Sequence, residues 1–180
     1  MVYSETIRAN KTWVCPKAGI YKIICVGGGG SGAASLESTS DTVTSGTAGG
    51  TTAFGTYLSA VGGATGADAY KKGFISNGGS AINGYNGASA YGTPNTASVT
   101  GCGYGASGEA RTKQQNLFSS GGQPGEVCSG IYNIEAGQQV ACTIGKGGTG
   151  ATASKSTTGL VCCYPGADGA IMIQYLGESM

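Results

Sequence analysis

Glycine limits what this chain can fold into more than any other residue. It supplies 36 of the 180 residues, and four glycines directly follow an apolar run in the stretch IICVGGGGSG at residues 23–32. Because glycine has no Cβ atom, clustered glycines add no side chains to a core, but they let backbones approach closely. The apolar residues that could build a core lie mainly near the two ends of the chain.

Apolar runs near both ends of the chain predict β-strands. They are rich in β-branched and aromatic residues, and glycine or proline bounds most of them. No part of the chain keeps an apolar period of 3.6 residues. The best helical candidate, residues 109–118, is short and polar, so we expect one or two turns or a loop there. The predicted strands lie at residues 5–15, 20–26, 131–134, 138–144, 160–164 and 170–176.

The order of these runs predicts an all-β fold in a single domain, residues 1–180. We expect an antiparallel β-sandwich base built from strand-rich ends, at about residues 5–26 and 131–176. A long glycine-rich middle, about residues 27–125, would form a loop-heavy insertion between these ends. Trp13 is the sole tryptophan and lies in the first strand-like run, which predicts a place in the core.

Two interpretations of the glycine-rich middle stay open. Its many Gly, Ala, Ser, Thr and Asn residues are typical of disorder, because they bury little apolar area against the entropy cost of ordering. Residues such as Phe54, Leu58 and Ile82 offer a sparse core, which favours order. Extended glycine chains with three residues per turn can also pack closely and exchange backbone hydrogen bonds. We therefore expect order, either polyglycine-II-like or as irregular loops.

Gly27, Gly29 and Gly32 match the G-x-G-x-x-G spacing of dinucleotide-binding loops. That fingerprint needs a helix after its last glycine and an acidic residue about 20 positions further on. The residues that follow are dense in Ser, Thr and Gly, and Glu37 and Asp41 come too early. We therefore expect no nucleotide and no other cofactor.

Charge and composition argue against several functional classes. The net charge of +1 gives no basic footprint for nucleic acid, and no apolar run approaches the ~20 residues of a membrane span. The N-terminal residues lack the apolar core of a signal peptide. Histidine, the commonest general base, is absent, and the nine carboxylates show no catalytic spacing. We expect a protein that is not an enzyme.

The cysteines predict thiols rather than a disulfide framework or a metal site. There are seven, an odd number that cannot pair fully within one chain, and no C-x-x-C motif or histidine supports a zinc site. Cys25 and Cys142 lie in apolar, strand-like runs, where cysteine usually acts as a small buried hydrophobe. We expect mostly free, buried thiols and no metal.

Four stretches of the chain form a recognisable series: TWVCPKAGIYKIICVGGGG at 12–30, GGTTAFG followed by LSA at 49–60, IYNIEAGQQVACTIGKGG at 131–148 and GADGAIMI at 166–173. In this order they resemble the glycine-rich domain of phage and prophage tail-fibre and appendage proteins. A looser similarity is to tail adhesins of T-even-like phages, in which packed polyglycine helices display variable loops. The extra cysteines and the tyrosine-bearing middle, about residues 68–105, depart from the family pattern.

This resemblance implies a receptor-binding tip protein of a phage tail fibre or related appendage. Its expected partners are other copies of itself in a homotrimer, other tail or fibre proteins, and a bacterial surface glycan or protein receptor, with no nucleic acid and no membrane insertion. It would be made in the host cytoplasm without a signal peptide and act outside the cell as part of the virion. The alternatives are a bacterial cell-surface adhesin or matrix protein and, less favoured, a glycan-cleaving depolymerase.

Tyrosines and asparagines spaced through the glycine-rich middle are candidate receptor contacts. Tyrosine gives a large, rigid contact at low entropic cost, asparagine adds donors and acceptors, and small neighbours let a partner approach. The alternative is that the tyrosines cover glycine backbones and shield a thin core. The candidates are Tyr70, Asn83, Tyr85, Asn86, Tyr91 and Tyr104.

Overall fold

A computed structural model describes the structure of four stretches of the chain in full: residues 3–32, 46–65, 122–150 and 165–178. Between these stretches it describes the backbone of short strands only. The described residues form strands, turns and extended segments without any helix, so no helix among them is able to cross a membrane.

The strands are numbered in chain order. In the fully described stretches they are β1 (Ser4–Ile7), β2 (Lys11–Val14), β3 (Gly19–Val26), β6 (Thr52–Phe54), β7 (Leu58–Ala60), β12 (Val127–Ile134), β13 (Gln139–Thr143) and β16 (Ala170–Gly177). The others are β4 (Ala34–Ser35), β5 (Thr42–Thr44), β8 (Ser89–Tyr91), β9 (Thr96–Ala97), β10 (Arg111–Thr112), β11 (Phe118–Ser120), β14 (Thr152–Lys155) and β15 (Gly159–Cys162).

Two four-stranded antiparallel sheets organise the fully described stretches. The first sheet has the strand order β1-β16-β3-β12, and the second has the order β2-β13-β6-β7. The runs predicted at 20–26 and 170–176 are neighbours in the first sheet, and the run at 138–144 lies in the second. The predicted all-β class and these three strands are therefore confirmed, while the sandwich arrangement stays a prediction.

Both sheets contribute side chains to one hydrophobic core. Trp13 of the second sheet contacts Tyr21 of the first, edge to face, with ring centroids 5.5 Å apart. Trp13 also lies 5.5 Å from the ring of Phe54, and all three side chains are buried. Period-2 alternation explains the pattern, because every second residue of β3 points inward: Tyr21, Ile23 and Cys25. The predicted core position of Trp13 is confirmed.

Several boundaries differ from those predicted. Residues 5–15 form two strands, β1 and β2, which belong to different sheets, and the run at 131–134 is the end of the longer strand β12. The run at 160–164 overlaps β15. In the helical candidate at 109–118, Arg111–Thr112 is a strand and Phe118 begins another. Short polar segments such as Arg111–Thr112 gain their strand pairing from distant partners, and the turns or loop expected for the rest of 109–118 lie outside the described residues.

The glycine-rich middle is not one uninterrupted insertion. It contains β6 and β7, which complete the second sheet and place Phe54 and Ala60 in the core with no exposed surface. Two sheet strands thus lie within the region that the sequence assigned to loops. Glycine clusters on both sides concealed them, because three-residue strands give too short an alternation to recognise.

Candidate functional site

Six extended, glycine-containing segments continue from the strands of both sheets and pack against one another. We call them the glycine bundle: residues 27–32, 46–51, 61–65, 122–126, 144–150 and 165–169. Three of them follow a strand directly and lead away from the sheets, after β3, β7 and β13. The other three lead back into β6, β12 and β16. Segments therefore alternate between leaving and returning to the sheets.

The segment at 27–32 is the centre of the bundle. Its backbone N–H groups donate in turn to three different neighbouring segments, and the partners repeat after three residues. Gly27 and Gly30 donate to the segment at 122–126, Gly28 and Ser31 donate to the segment at 46–51, and Gly29 donates to the segment at 165–169. The acceptors, in the order of donors 27 to 31, are the carbonyls of Glu126, Gly50, Ala167, Gln123 and Thr47, at 2.9 to 3.1 Å.

The remaining two segments bond to carbonyl oxygens of the central one. Gly63 N–H donates to the Gly28 carbonyl, and Gly148 N–H donates to the Gly29 carbonyl, both at 2.8 Å. From one residue of the central segment to the next, the direction in which the backbone hydrogen bond points rotates by about a third of a revolution. An extended helix with three residues per turn has this repeat. The central segment therefore contacts all five others, and its residues are buried although none has a large side chain.

Backbone approaches in the bundle are too close for any side chain at several glycines. A Cβ atom placed on Gly30 would overlap the carbonyl oxygen of Ala64, and one on Gly28 would overlap that of Lys146. On the neighbouring segments, a Cβ on Gly49 would overlap the carbonyl of Gly28. Glycine is needed at these positions because backbone atoms fill the space that a side chain would occupy.

These hydrogen bonds define what the G-x-G-x-x-G spacing does in this protein. The N–H groups of Gly27, Gly28, Gly29 and Gly30 all point at carbonyl oxygens of neighbouring segments. A phosphate-binding loop needs such N–H groups free and aimed at the ligand. The glycines at 27–30 therefore serve close packing of the backbone.

A layer of hydroxyl groups lies at the end of the bundle that is distant from the sheets. The Ser31 hydroxyl lies 3.1 Å from that of Thr65, and the Thr47 hydroxyl lies 3.0 Å from that of Thr149. Thr149 N–H also donates to the Thr47 hydroxyl at 2.8 Å. Ser31, Thr65 and Thr149 lie at or next to the last residue of a bundle segment, and Thr47 lies next to the first residue of another. We call this layer the distal end.

Three chain segments begin and end at the distal end: residues 33–45, 66–121 and 151–164, which we call the intervening segments. Short strands within them pair with one another. Strand β10 of the second segment pairs parallel with β4 of the first, and β14 of the third pairs antiparallel with β5 of the first. Strand β14 also pairs with β15, and β11 pairs with β8. The three segments are therefore connected beyond the distal end.

All six candidate receptor contacts fall in the second intervening segment, residues 66–121. Tyr91 belongs to β8, where its backbone pairs with Phe118 of β11. The other five candidates, Tyr70, Asn83, Tyr85, Asn86 and Tyr104, lie outside the described residues. The side-chain contacts of the six thus stay predictions, but the residues that flank this segment, Thr65 and Gly122, are both at the distal end, beside Ser31.

An ion pair joins two bundle segments at 144–150 and 165–169. Lys146 Nζ donates to Asp168 Oδ2 at 2.7 Å, and Gly147 N–H donates to Asp168 Oδ1 at 2.8 Å. Lys146 and then the Gly147 N–H lower the pKa of the Asp168 carboxyl. The carboxylate therefore acts as a cap that fixes the two segments in register.

A second polar cluster lies at the edge of the two sheets. Lys11 Nζ donates to Glu5 Oε1 at 2.5 Å, the Tyr3 hydroxyl donates to the other oxygen of Glu5, and Trp13 Nε1 donates to the Tyr3 hydroxyl at 3.1 Å. Lys11, followed by Tyr3, lowers the pKa of Glu5. The cluster connects β1 to β2 and orients Trp13. Glu5 also borders a shallow groove of about 360 Å³ on the first sheet, between β1, β3 and β16.

Four cysteines lie in the fully described stretches, and all four are free thiols. Cys15, Cys25 and Cys142 are buried and Cys128 is half-buried, which confirms the expected thiols for these four. Cys102 and Cys163 lie outside the described residues, and Cys162 is described only as part of β15. Among the described residues, no three Cys, Asp or Glu side chains come together as metal ligands would.

No protein-family model, no curated protein and no solved structure matches the chain. The set of residues that forms the bundle was not among the features predicted from the sequence. A usable signal was present, since each of its six segments contains at least two glycines.

Proposed function

We propose that this chain is a receptor-binding tip protein of a phage tail fibre or related appendage, and that it binds a bacterial surface receptor without catalysis. One observation carries the proposal: all three intervening segments start and end at the same end of the glycine bundle. Such an arrangement presents connecting segments together on a rigid base, as recognition loops generally are.

The second intervening segment is the best candidate for the contact surface. At residues 66–121 it is the longest of the three, and it contains all six candidate residues. Its tyrosines, asparagines and glycines have the composition of adaptable binding surfaces. The resemblance to tail-fibre glycine-rich domains supports the same assignment.

We also propose that three copies associate in the particle and attach to other fibre proteins. A single site built on tyrosine and asparagine is weak, and several sites on one tip raise the overall affinity by roughly 10²–10⁴ when they engage together. Light scattering of the purified chain tests this part, and a monomer at micromolar concentration would contradict it.

The test of receptor binding compares the wild-type chain with the triple variant Tyr85→Ala, Tyr91→Ala and Tyr104→Ala. Adsorption of each protein to a panel of bacterial cells is measured, together with its melting temperature. We expect the triple variant to lose binding by at least about tenfold, because aromatic residues dominate contact energies, and to melt at the wild-type temperature.

The matched control is the double variant Ile131→Ala and Glu135→Ala, which changes one exposed residue of β12 and one exposed residue directly after it. It should bind as the wild-type chain does. Full adsorption by a folded triple variant would place recognition elsewhere. Release of reducing sugar from surface polysaccharide would contradict the non-catalytic part of the proposal.

A further inference from the structure

Cys25 and Cys128 are directly opposite each other on two neighbouring antiparallel strands, β3 and β12. Directly opposite residues of such a pair point to the same face of the sheet. Here that face is the core side, because Cys25 is fully buried and Cys128 packs against the core while remaining half-buried. Two thiols therefore face the same side of one sheet, side by side.

The strand register fits a disulfide. The Gly27 N–H donates to the carbonyl of Glu126 directly opposite, so Cys25 and Cys128, two positions along, are a hydrogen-bonded pair with Cα atoms about 5.5 Å apart, within the roughly 4.4–6.8 Å that a disulfide spans. Their Cβ atoms, at about 5.5 Å, have to approach by about 1 Å or more to reach the roughly 3.5–4.5 Å of a disulfide. Strand β12 lies at the edge of the first sheet and pairs with β3 alone in that sheet, so it has freedom to make this small adjustment.

We propose that Cys25 and Cys128 are a thiol pair that closes into a cross-strand disulfide when the protein meets a small-molecule disulfide such as oxidised glutathione. The proposal depends on the register of β3 and β12 and does not rest on the proposed receptor binding. The other two cysteines of the fully described stretches have no such partner. Cys142 lies on the second sheet opposite Lys11 and Phe54, and Cys15 follows β2, with its thiol 3.1 Å from the Lys17 carbonyl oxygen.

The reaction proceeds as two exchange steps. The more accessible Cys128 thiolate attacks one sulfur of the glutathione disulfide, forming a mixed disulfide and releasing one glutathione thiol. Cys25, as thiolate, then attacks the Cys128 sulfur and releases the second glutathione thiol. The protein pair loses two electrons and two protons, and one oxidised glutathione gains them as two thiols.

The surroundings of the two thiols make this exchange slow at neutral pH. Burial raises the pKa of Cys25 to about 12, with smaller contributions from Cys128 and Cys142. Burial and the nearby Glu126 carboxylate raise the pKa of Cys128. Because only the thiolate reacts, the rate should increase as the pH rises. The pair would stay reduced in a cytoplasm and oxidise slowly outside a cell.

The bond would fix the point where the glycine bundle meets the first sheet. Cys25 lies two residues before the central segment at 27–32, and Cys128 lies two residues after the segment at 122–126. The closed loop between them would contain four bundle segments and two intervening segments. A cross-link across a long loop restricts the unfolded chain strongly, so the oxidised protein should be more stable.

The test uses the full chain with Cys102, Cys162 and Cys163 replaced by serine, which leaves only the four described thiols. The folded protein is incubated with oxidised glutathione at alkaline pH, remaining thiols are alkylated after unfolding, and peptides are identified by mass spectrometry. We expect a Cys25–Cys128 cross-linked peptide lighter by two hydrogen atoms, with Cys15 and Cys142 alkylated. The melting temperature should rise by roughly 5–15 °C and return to its original value on reduction.

Two variants separate the steps. Cys25→Ala should stop at the mixed disulfide of Cys128 with glutathione, and Cys128→Ser should show neither adduct nor cross-link. The proposal is overturned if Cys25 pairs with Cys142, or if the four-thiol protein stops at the mixed disulfide. It is equally overturned if all four thiols stay reduced under conditions that oxidise the urea-unfolded chain.

Discussion

The two sheets and the glycine bundle exclude water in opposite ways. In the sheets, side chains such as Trp13, Tyr21 and Phe54 interdigitate between strands and are almost fully buried. In the bundle, the segment at 27–32 is equally buried, but backbone carbonyls and α-carbons of neighbouring segments surround it. The comparison shows that a buried region can be packed by side chains or by main chain, and that the two differ in the substitutions they can tolerate.

The energetic basis of the two regions differs in the same way. Each buried aromatic or aliphatic side chain contributes roughly 1.5–3 kcal/mol from the water it displaces. The bundle has few such side chains and depends on backbone hydrogen bonds, each contributing about 1 kcal/mol net. Glycine also loses more backbone entropy on folding than other residues do. We infer that the bundle needs the sheets to hold its segments together.

Adding one carbon atom to the centre of the bundle should have the largest effect. In Gly30→Ala the new Cβ atom would overlap the Ala64 carbonyl oxygen, and backbone atoms cannot rotate away as a side chain can. We expect the free energy of unfolding to fall by at least about 3 kcal/mol, measured by urea denaturation. The control is Gly137→Ala, at a turn with φ +78° and no atom within 4 Å of the new Cβ. It should cost only about 1 kcal/mol, from backbone strain. Equal losses for both variants would refute backbone packing as the cause.

Removing one carbon atom from the core of the sheets should have a moderate effect. Ile23 is fully buried on β3, and Ile23→Val leaves a small void that its neighbours fill in part. We expect a loss of roughly 0.5–1.5 kcal/mol in the same urea titration. Ile131→Val makes the identical change at a side chain that is 64% exposed and should lie within about 0.5 kcal/mol of wild type. If Ile23→Val proved more damaging than Gly30→Ala, the contrast between the two regions would be wrong.

Removing the charge of Asp168 should have the smallest effect, and one that depends on pH. Because Lys146 lowers the pKa of Asp168 in the folded state, its carboxylate stabilises the fold above its unfolded pKa of about 3.9. That contribution is lost as the pH falls through the lower folded pKa. At neutral pH the free energy of unfolding of Asp168→Asn should therefore be lower than that of wild type by less than about 1 kcal/mol, since the side chains of Asp168 and Lys146 are both exposed.

The difference between wild type and Asp168→Asn should shrink as the pH is lowered below about 4. Melting curves at several pH values measure this change. Glu178→Gln removes the pair with Lys17, whose carboxylate is more exposed than that of Asp168, and should give a smaller effect. A deficit of Asp168→Asn that stayed constant down to pH 2 would show that the amide disturbs packing and that the charge is not the cause.

Much of the sheet architecture was predictable from the residues. Alternation in runs such as 20–26 and 170–176 identifies strands, because one face of each must meet the core. The short strands β6 and β7 were not predictable, since three residues carry too little alternation and glycines flank them. The split of residues 5–15 between two sheets also escaped prediction, because the turn at 8–10 carries neither glycine nor proline.

Less of the candidate site than of the sheets could be predicted. Tyrosine and asparagine among glycines predict a contact surface in the middle of the chain, and this surface stays a prediction; the six positions fall in one intervening segment. That this segment starts and ends beside the other two depended on contacts between residues far apart in sequence, such as Ser31 with Thr65. No local pattern encodes such a contact.

By itself, the sequence determined where the longer apolar strands form and where side chains are excluded, because both follow from residue type: alternating apolar residues make strands, and glycines leave room for main chain. Only the tertiary structure decided which glycine segments become neighbours and that residues 27–32 form the centre. The physical reason is that the bundle is held by N–H and C=O groups, which every residue except proline presents alike. The choice of partners is fixed by the strands of the two sheets, which set where each segment begins and in which direction it runs.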